Sequence, residues 1–161
     1  MSIVTAEASD DDLEACVALW LHALEVRDGH PPVEGTAERC RGKFALARVA
    51  WVVLRDELAE IAAFSLVTGA GTGRPADPPA AAYLSLFAVA PGRQGAGLGG
   101  RLLRAVHERI ASAGYDEAVL HVLVENAVAV GLYRSQGWVE VGERFPHPLN
   151  GSATGTFVYT P

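Results

Sequence analysis

Cysteine is scarce: Cys16 and Cys40 are the only two in 161 residues, and no CxxC or Cys/His interval of a metal site involves them. That excludes a disulfide-built scaffold, and two reduced structural thiols are expected. His107 and His147 also lack a ligand partner at a recognised interval, so no metal site is expected. Excess basic charge is missing too. The formal net charge is −6, which argues against nucleic acid as a partner and favours cationic ligands such as amines. No apolar run approaches the roughly 18 residues of a membrane span, so no membrane partner is expected. The opening residues MSIVTAEASDDD lack the basic and apolar regions of a secretory leader, which makes a cytoplasmic protein the expectation. What the chain does have is apolar content. With 50% hydrophobic residues, no internal repeat and no linker, residues 1–161 are expected to form one domain.

Hydrophobic periodicity gives the order of elements. A short strand at residues 3–6 is followed by Ser9 and the acids Asp10 to Asp12, a helix-start signal, and then by Leu13, Val17, Trp20 and Leu24 at helical spacing. DGHPP at Asp28 to Pro32 ends that helix. A second helix is expected over residues 36–48, then a hairpin from Trp51–Leu54 through Asp56-Glu57 to residues 61–68. Gly69 to Pro79 holds three glycines and three prolines, so it reads as a surface loop before the apolar strand YLSLFAVA, residues 83–90. Further on come a helix with Leu98, Leu102, Val106 and Ile110 on one face, a strand at residues 118–124, a helix at 127–136, and strands near 139–144 and 154–159.

The stretch PGRQGAGLGGR, Pro91 to Arg101, joins the apolar strand to a helix. Four glycines between Gly95 and Gly100 remove the Cβ atoms that keep an anion away from the main chain, and the first amides of a helix have no intrahelical partner. Backed by the helix dipole, they form a diphosphate site, with Arg93 and Arg101 expected to add charge at its rim. A nucleotide-bearing ligand follows. A P-loop is excluded because the stretch has no Gly-Lys-Ser/Thr end. G-x-G-x-x-G is matched by Gly95, Gly97 and Gly100, but the turn begins four residues after the strand and about 80 residues precede that strand, unlike a dinucleotide-binding unit.

Gln94, Gly97 and Gly99 meet Q/R-x-x-G-x-G/A, and about 30 residues on LHVLVENAVAVGLYRSQGW places Asn126, Ala129, Leu132, Tyr133, Gly137 and Trp138 on the spacing of a second signature. With both motifs in order, the chain resembles the GNAT superfamily of acyl-CoA-dependent N-acyltransferases. The resemblance implies an α/β (α+β) fold with a mixed, mostly antiparallel sheet, parallel strands splayed at the cofactor cleft, and flanking helices. It implies acetyl-CoA as co-substrate and an amine acceptor, either a small molecule or a peptide or protein. The alternative is a noncatalytic acyl-CoA-binding module of the same fold. Relatives are often dimers, so a homodimer through an edge strand near the C-terminus is an expectation by analogy.

By position in the family, the backbone of Phe87, Ala88 and Val89 binds pantetheine and the acyl carbonyl. Arg93, Gln94, Gly95, Ala96, Gly97, Leu98, Gly99 and Gly100 form the phosphate turn, and Asn126 bonds the cofactor or a nearby water besides capping its helix. Tyr133 sits where relatives place a proton donor to the leaving thiolate, the other reading being a tyrosine packed on the core. The strand at residues 83–90 has no carboxylate, so a base there is absent apart from the weak hydroxyl of Ser85. His121, five residues before Asn126, stands where some protein-acetylating relatives carry a glutamate, and an imidazole takes a proton near neutral pH. A satisfied strand histidine is the alternative, and Glu125 or a water chain the other candidate base. His22, Glu25, Asp28 and His30 are the candidate acceptor-binding residues.

Overall fold

The computed structural model describes residues 2–161. Seven strands form one sheet: β1 (Val4–Glu7), β2 (Arg48–Arg55), β3 (Ile61–Thr68), β4 (Ala82–Val89), β5 (Ala118–Leu123), β6 (Val139–Pro146) and β7 (Ala153–Tyr159). Their spatial order is β1-β2-β3-β4-β5-β7-β6. Every neighbouring pair is antiparallel except β4 and β5. Those two run parallel and meet at only two positions, Ala82 with Ala118 and Tyr83 with Val119. The rest of β4 therefore diverges from β5, and the expected mixed sheet with a splay is present.

Four α-helices cover the sheet: α1 (Leu13–Asp28), α2 (Thr36–Phe44), α3 (Leu98–Ser112) and α4 (Ala127–Ser135). One core lies under α3 and α4, built on Leu98, Leu102, Val106 and Ile110 with Leu120, Trp138 and Phe157. The other lies under α1 and α2 and holds Val17, Phe44, Trp51 and Phe64. Cys16 and Cys40 are both in this second core, unpaired, as expected from their scarcity. Burial pushes the Cys40 thiol up to about 11 and the Cys16 thiol up to about 12.

A bulge in β4 sets the site. Leu66 pairs with Leu86 and Val67 with Leu84, which leaves Ser85 as the extra residue. The bulge reverses the alternation of faces. Ala82 and Leu84 pack under α3, whereas Leu86 and Ala88 pack under α1 and α2.

Two local expectations are corrected. Ser9 does not cap α1 directly; a 3₁₀ turn at Asp10–Asp12 comes first, with the Ser9 amide donating to Asp12 Oδ2 at 2.9 Å. The second helix stops at Phe44 rather than Arg48. Its end tightens, with Ala45 N–H bonded to Gly42 O and Leu46 N–H to Lys43 O, and Ala47 O is taken by the Gly69 amide at 2.8 Å. Strand pairing of Arg48 with Thr68 then outweighs helix propensity.

Candidate active site

The turn between β4 and α3 has Gly95 at φ +86° and Gly97 at φ +79°, a conformation that costs other residues about 1 kcal/mol or more. No atom lies within 4 Å of where a Cβ would stand on either, so the space above the turn is open. The first intrahelical bond is Arg101 N–H to Gly97 O at 3.2 Å, which leaves the amides of Leu98, Gly99 and Gly100 free at the positive end of α3. Buried Leu98 anchors the helix start, and Gln94 to Gly97 are exposed. Gly99 has a packing reason as well: a Cβ there would stand 3.1 Å from Leu132 Cδ2 on α4.

The rim arginines differ from expectation. Arg93 places its guanidinium 2.7 Å from Asp56 Oδ2 in the β2–β3 turn, and Arg101 donates to Ile3 O at 2.7 Å, just before β1. Both tie the turn to the sheet. Arg104, which the sequence reading missed, makes no ion pair or hydrogen bond among the described residues and lies with Nη1 3.4 Å from the Cβ position of Gly100. One turn along α3 from Gly100, it is the cation beside the free amides.

Beyond the bulge the polar edge of β4 has a definite direction. Ala90 N–H donates to Ala62 O on β3 at 2.8 Å, so the main-chain groups of Leu86 and Ala88, in phase with it, also turn to β3. Phe87 and Val89 turn theirs the other way, into the gap where β5 has diverged. The expectation for Ala88 is thus corrected: its amide belongs to the β3 ladder and its side chain to the core.

Tyr133 of α4 lies across this gap, its ring edge-on to Phe87 with centroids 5.8 Å apart. The side chain is 6% exposed. Its hydroxyl makes no hydrogen bond, yet it is not among the sealed polar atoms of the described residues, which are Trp51 Nε1 and Ser85 Oγ. It therefore keeps some contact with solvent. Burial raises its pKa well above the usual phenol value, so it stays protonated. Asn126 is the N-cap of α4, its Oδ1 accepting from Ala129 N–H at 3.3 Å, which leaves its side-chain NH2 available.

On the other face of β5, His121 Nε2 lies 2.8 Å from Asp77 Oδ1, with both side chains about nine-tenths buried. Tyr83 and Phe145 pack on the ring, at centroid distances of 5.3 and 5.6 Å. Beside Phe145 opens a pocket of about 250 Å³ lined also by Arg144, Pro146, Gly151 and Ala153. Ser85, sealed in the bulge, has no route to a substrate proton, and Glu125 is exposed at the end of β5.

Of the candidate acceptor residues, His22 and Glu25 lie on the exposed face of α1. Asp28 pairs with Arg27 at 2.8 Å, and that guanidinium holds its carboxyl below the usual range, with His30 and His147 adding to the effect. His30 Nδ1 lies 3.0 Å from Pro31 O. No group of three or more potential metal ligands clusters among the described residues, and no helix there is long and apolar enough to cross a membrane.

The free amides of Leu98, Gly99 and Gly100, the open edge of β4 at Phe87 and Val89, and Tyr133 across the gap thus form one candidate site. The sequence profile of the acetyltransferase (GNAT) family matches residues 14–138, and the chain belongs to that family. Solved structures agree on the fold. The ribosomal-protein-S18-alanine N-acetyltransferase of Escherichia coli superposes with TM-score 0.77 at 20% identity, over 99% of this chain and 94% of that one. A putative phosphinothricin N-acetyltransferase gives TM-score 0.77 at 20% identity, over 99% and 98%. The PaiA N-acetyltransferase of Thermoplasma acidophilum, in complex with coenzyme A, gives 0.73 at 16% identity over the whole of both chains. Among curated proteins there is no match.

Proposed function

We propose that the protein transfers an acetyl group from acetyl-CoA to a primary amine by direct attack in a ternary complex. The observation that carries this reading is the open edge of β4 at Phe87 and Val89, lying between the free amides of α3 and the hydroxyl of Tyr133. The amides of Leu98, Gly99 and Gly100 receive the pyrophosphate, with Arg104 adding charge. Phe87 and Val89 bond the pantetheine arm and orient the thioester carbonyl, whose oxygen gains negative charge as the amine attacks. Tyr133 donates a hydrogen bond to the sulfur as the C–S bond breaks and supplies the proton that makes the departing thiolate a thiol. His121, on the acceptor side, takes the proton that the attacking nitrogen loses, directly or through water. The acceptor is a small-molecule, peptide or protein amine. Glu25 and Asp28 supply negative charge at the α1–α2 end, and the net charge of −6 favours a cationic acceptor.

A thermal-shift titration with acetyl-CoA, CoA and NAD, followed by an amine screen that reads CoA release, tests the reading. A ligand at about 100 times its Kd stabilises the native state by roughly 2.7 kcal/mol, several degrees for a chain of this size. Shifts with acetyl-CoA and CoA but not NAD are expected. A shift without CoA release to any amine would indicate a noncatalytic acyl-CoA-binding module, and a shift with NAD alone would overturn the reading.

A further inference from the structure

The contact between Asp77 and His121 joins residues 44 apart in sequence, and nothing in either signature motif points to Asp77. Its loop is built to deliver it. Asp77 Oδ2 accepts from Arg74 N–H at 2.7 Å, and Asp77 N–H donates to Arg74 O at 3.0 Å. Gly73 leaves the space: a Cβ there would stand 2.3 Å from Asp77 Oδ2 and 3.3 Å from the ring of Tyr83. Thr72 Oγ1 bonds Gly69 O and meets Thr68 Oγ1, each at 2.6 Å, so the segment expected to be a plain surface loop is laced to the end of β3.

An ionised carboxylate only accepts hydrogen bonds, so its contact with Nε2 fixes the neutral imidazole with the proton on Nε2. Nδ1 is then the bare nitrogen. That atom has no hydrogen-bond partner and is not among the sealed polar atoms of the described residues, so it meets solvent. The groups facing the ring are Asp77 from the loop, Tyr83 from β4, and Phe145 from β6 with the Arg74 guanidinium 3.4 Å over its ring centroid. On β7 the register partner is Thr156. Burial pushes Tyr83 up to about 12, so its hydroxyl adds no negative charge to this set near neutral pH.

We propose that Asp77 is a positioning residue for His121: it fixes the ring and its tautomer so that Nδ1 is the atom that takes the proton from the acceptor amine. This rests on the acetyltransferase reading and deepens it. In the step, the N–H bond of the attacking ammonium-like nitrogen breaks, the proton goes to Nδ1, and the imidazolium is stabilised by the Asp77 carboxylate on Nε2–H.

The consequence is specific to Asp77→Asn. The oxygen of the amide stays on the Arg74 N–H, so its NH2 meets Nε2 as a donor, and the imidazole must move its proton to Nδ1. The expected result is a fall in kcat of about 100-fold, within the range of general-base catalysis, with KM for acetyl-CoA unchanged and the CoA thermal shift intact. The same substitution in a His121→Ala background is expected to have no further effect, since the two act as one unit. Gly73→Ala, which displaces the carboxylate without changing charge, is expected to lower kcat in the same way. Nitrogen NMR of the His121 ring reads the tautomer without turnover: Nε2–H in the wild type, Nδ1–H in Asp77→Asn. A wild-type ring protonated on Nδ1, or a loss from Asp77→Asn that is as large without His121 as with it, overturns the proposal. Absence of CoA release from the wild type with any amine would overturn the transferase reading itself, with the tautomer still measurable.

Discussion

Tyr133 carries the sharpest expectation among single residues. Tyr133→Phe keeps the ring contact with Phe87 and removes the hydroxyl, so turnover is expected to fall by about 10 to 1,000-fold while CoA affinity is retained; steady-state kinetics beside a CoA binding isotherm measures both. His107 gives a different kind of expectation. Its Nε2 accepts from Trp138 Nε1–H at 2.9 Å, and its ring stacks on Tyr159 with centroids 3.8 Å apart. An imidazolium cannot accept that bond, and burial depresses the pKa from 6.5 to about 4. Below pH 6.5 the unfolded chain binds a proton that the folded chain refuses, so this contribution to stability is full at neutral pH and is lost as pH falls towards about 4. The loss should be on the order of 2 kcal/mol, read as a fall in Tm that His107→Gln, which keeps an acceptor for Trp138, does not show. Tyr133, Asn126 and the glycine turn were legible because local spacing carries them. Asp77, the partner of His121, was not: forming the pair takes a loop and the meeting of β4 with β5, and no local pattern encodes that. The tasks of Arg93 and Arg101 were hidden for the same reason, since Asp56 and Ile3 come to them only in the folded sheet.

At the level of elements, most strands were read to within a residue or two because apolar runs and turn residues mark them, and β2 with β3 follows the expected hairpin, although β2 begins at Arg48 rather than Trp51. The end of α2 was misread because the strand pairing that starts at Arg48 lies outside any helical window. The bulge at Ser85 was not placed from the sequence, because its cause is a register shift between two apolar strands that no alternation in β4 alone displays. The turn into α3 carries its own prediction. Gly97→Ala meets no steric obstacle, yet it must hold φ near +79°, so a stability loss of about 1 kcal/mol is expected. If the amides that follow it receive the pyrophosphate, CoA affinity should fall about tenfold in a calorimetric titration, with kcat at saturating donor little changed.

Across the whole molecule, the sheet is two antiparallel sets, β1 to β4 and β5-β7-β6, joined by two residue pairs. A donor that bonds the open edge of β4 and touches α4 bridges them. Hydrogen exchange should therefore slow on adding CoA at residues 84–89 and 98–100, while β1 at the far edge stays unaffected. Equal protection everywhere would mean general stabilisation rather than bridging. The order in which a ribosome makes these parts follows from the same division. The glycine turn, the open edge and Asp77 all lie before residue 101, whereas His121, Asn126 and Tyr133 come after it, and β5 gains its antiparallel neighbour only when β7, residues 153–159, enters between β5 and β6. A nascent chain thus has its glycine turn complete well before His121, Asn126 and Tyr133 are held in place, and β5 is not flanked on its second edge until the last of the seven strands has been made.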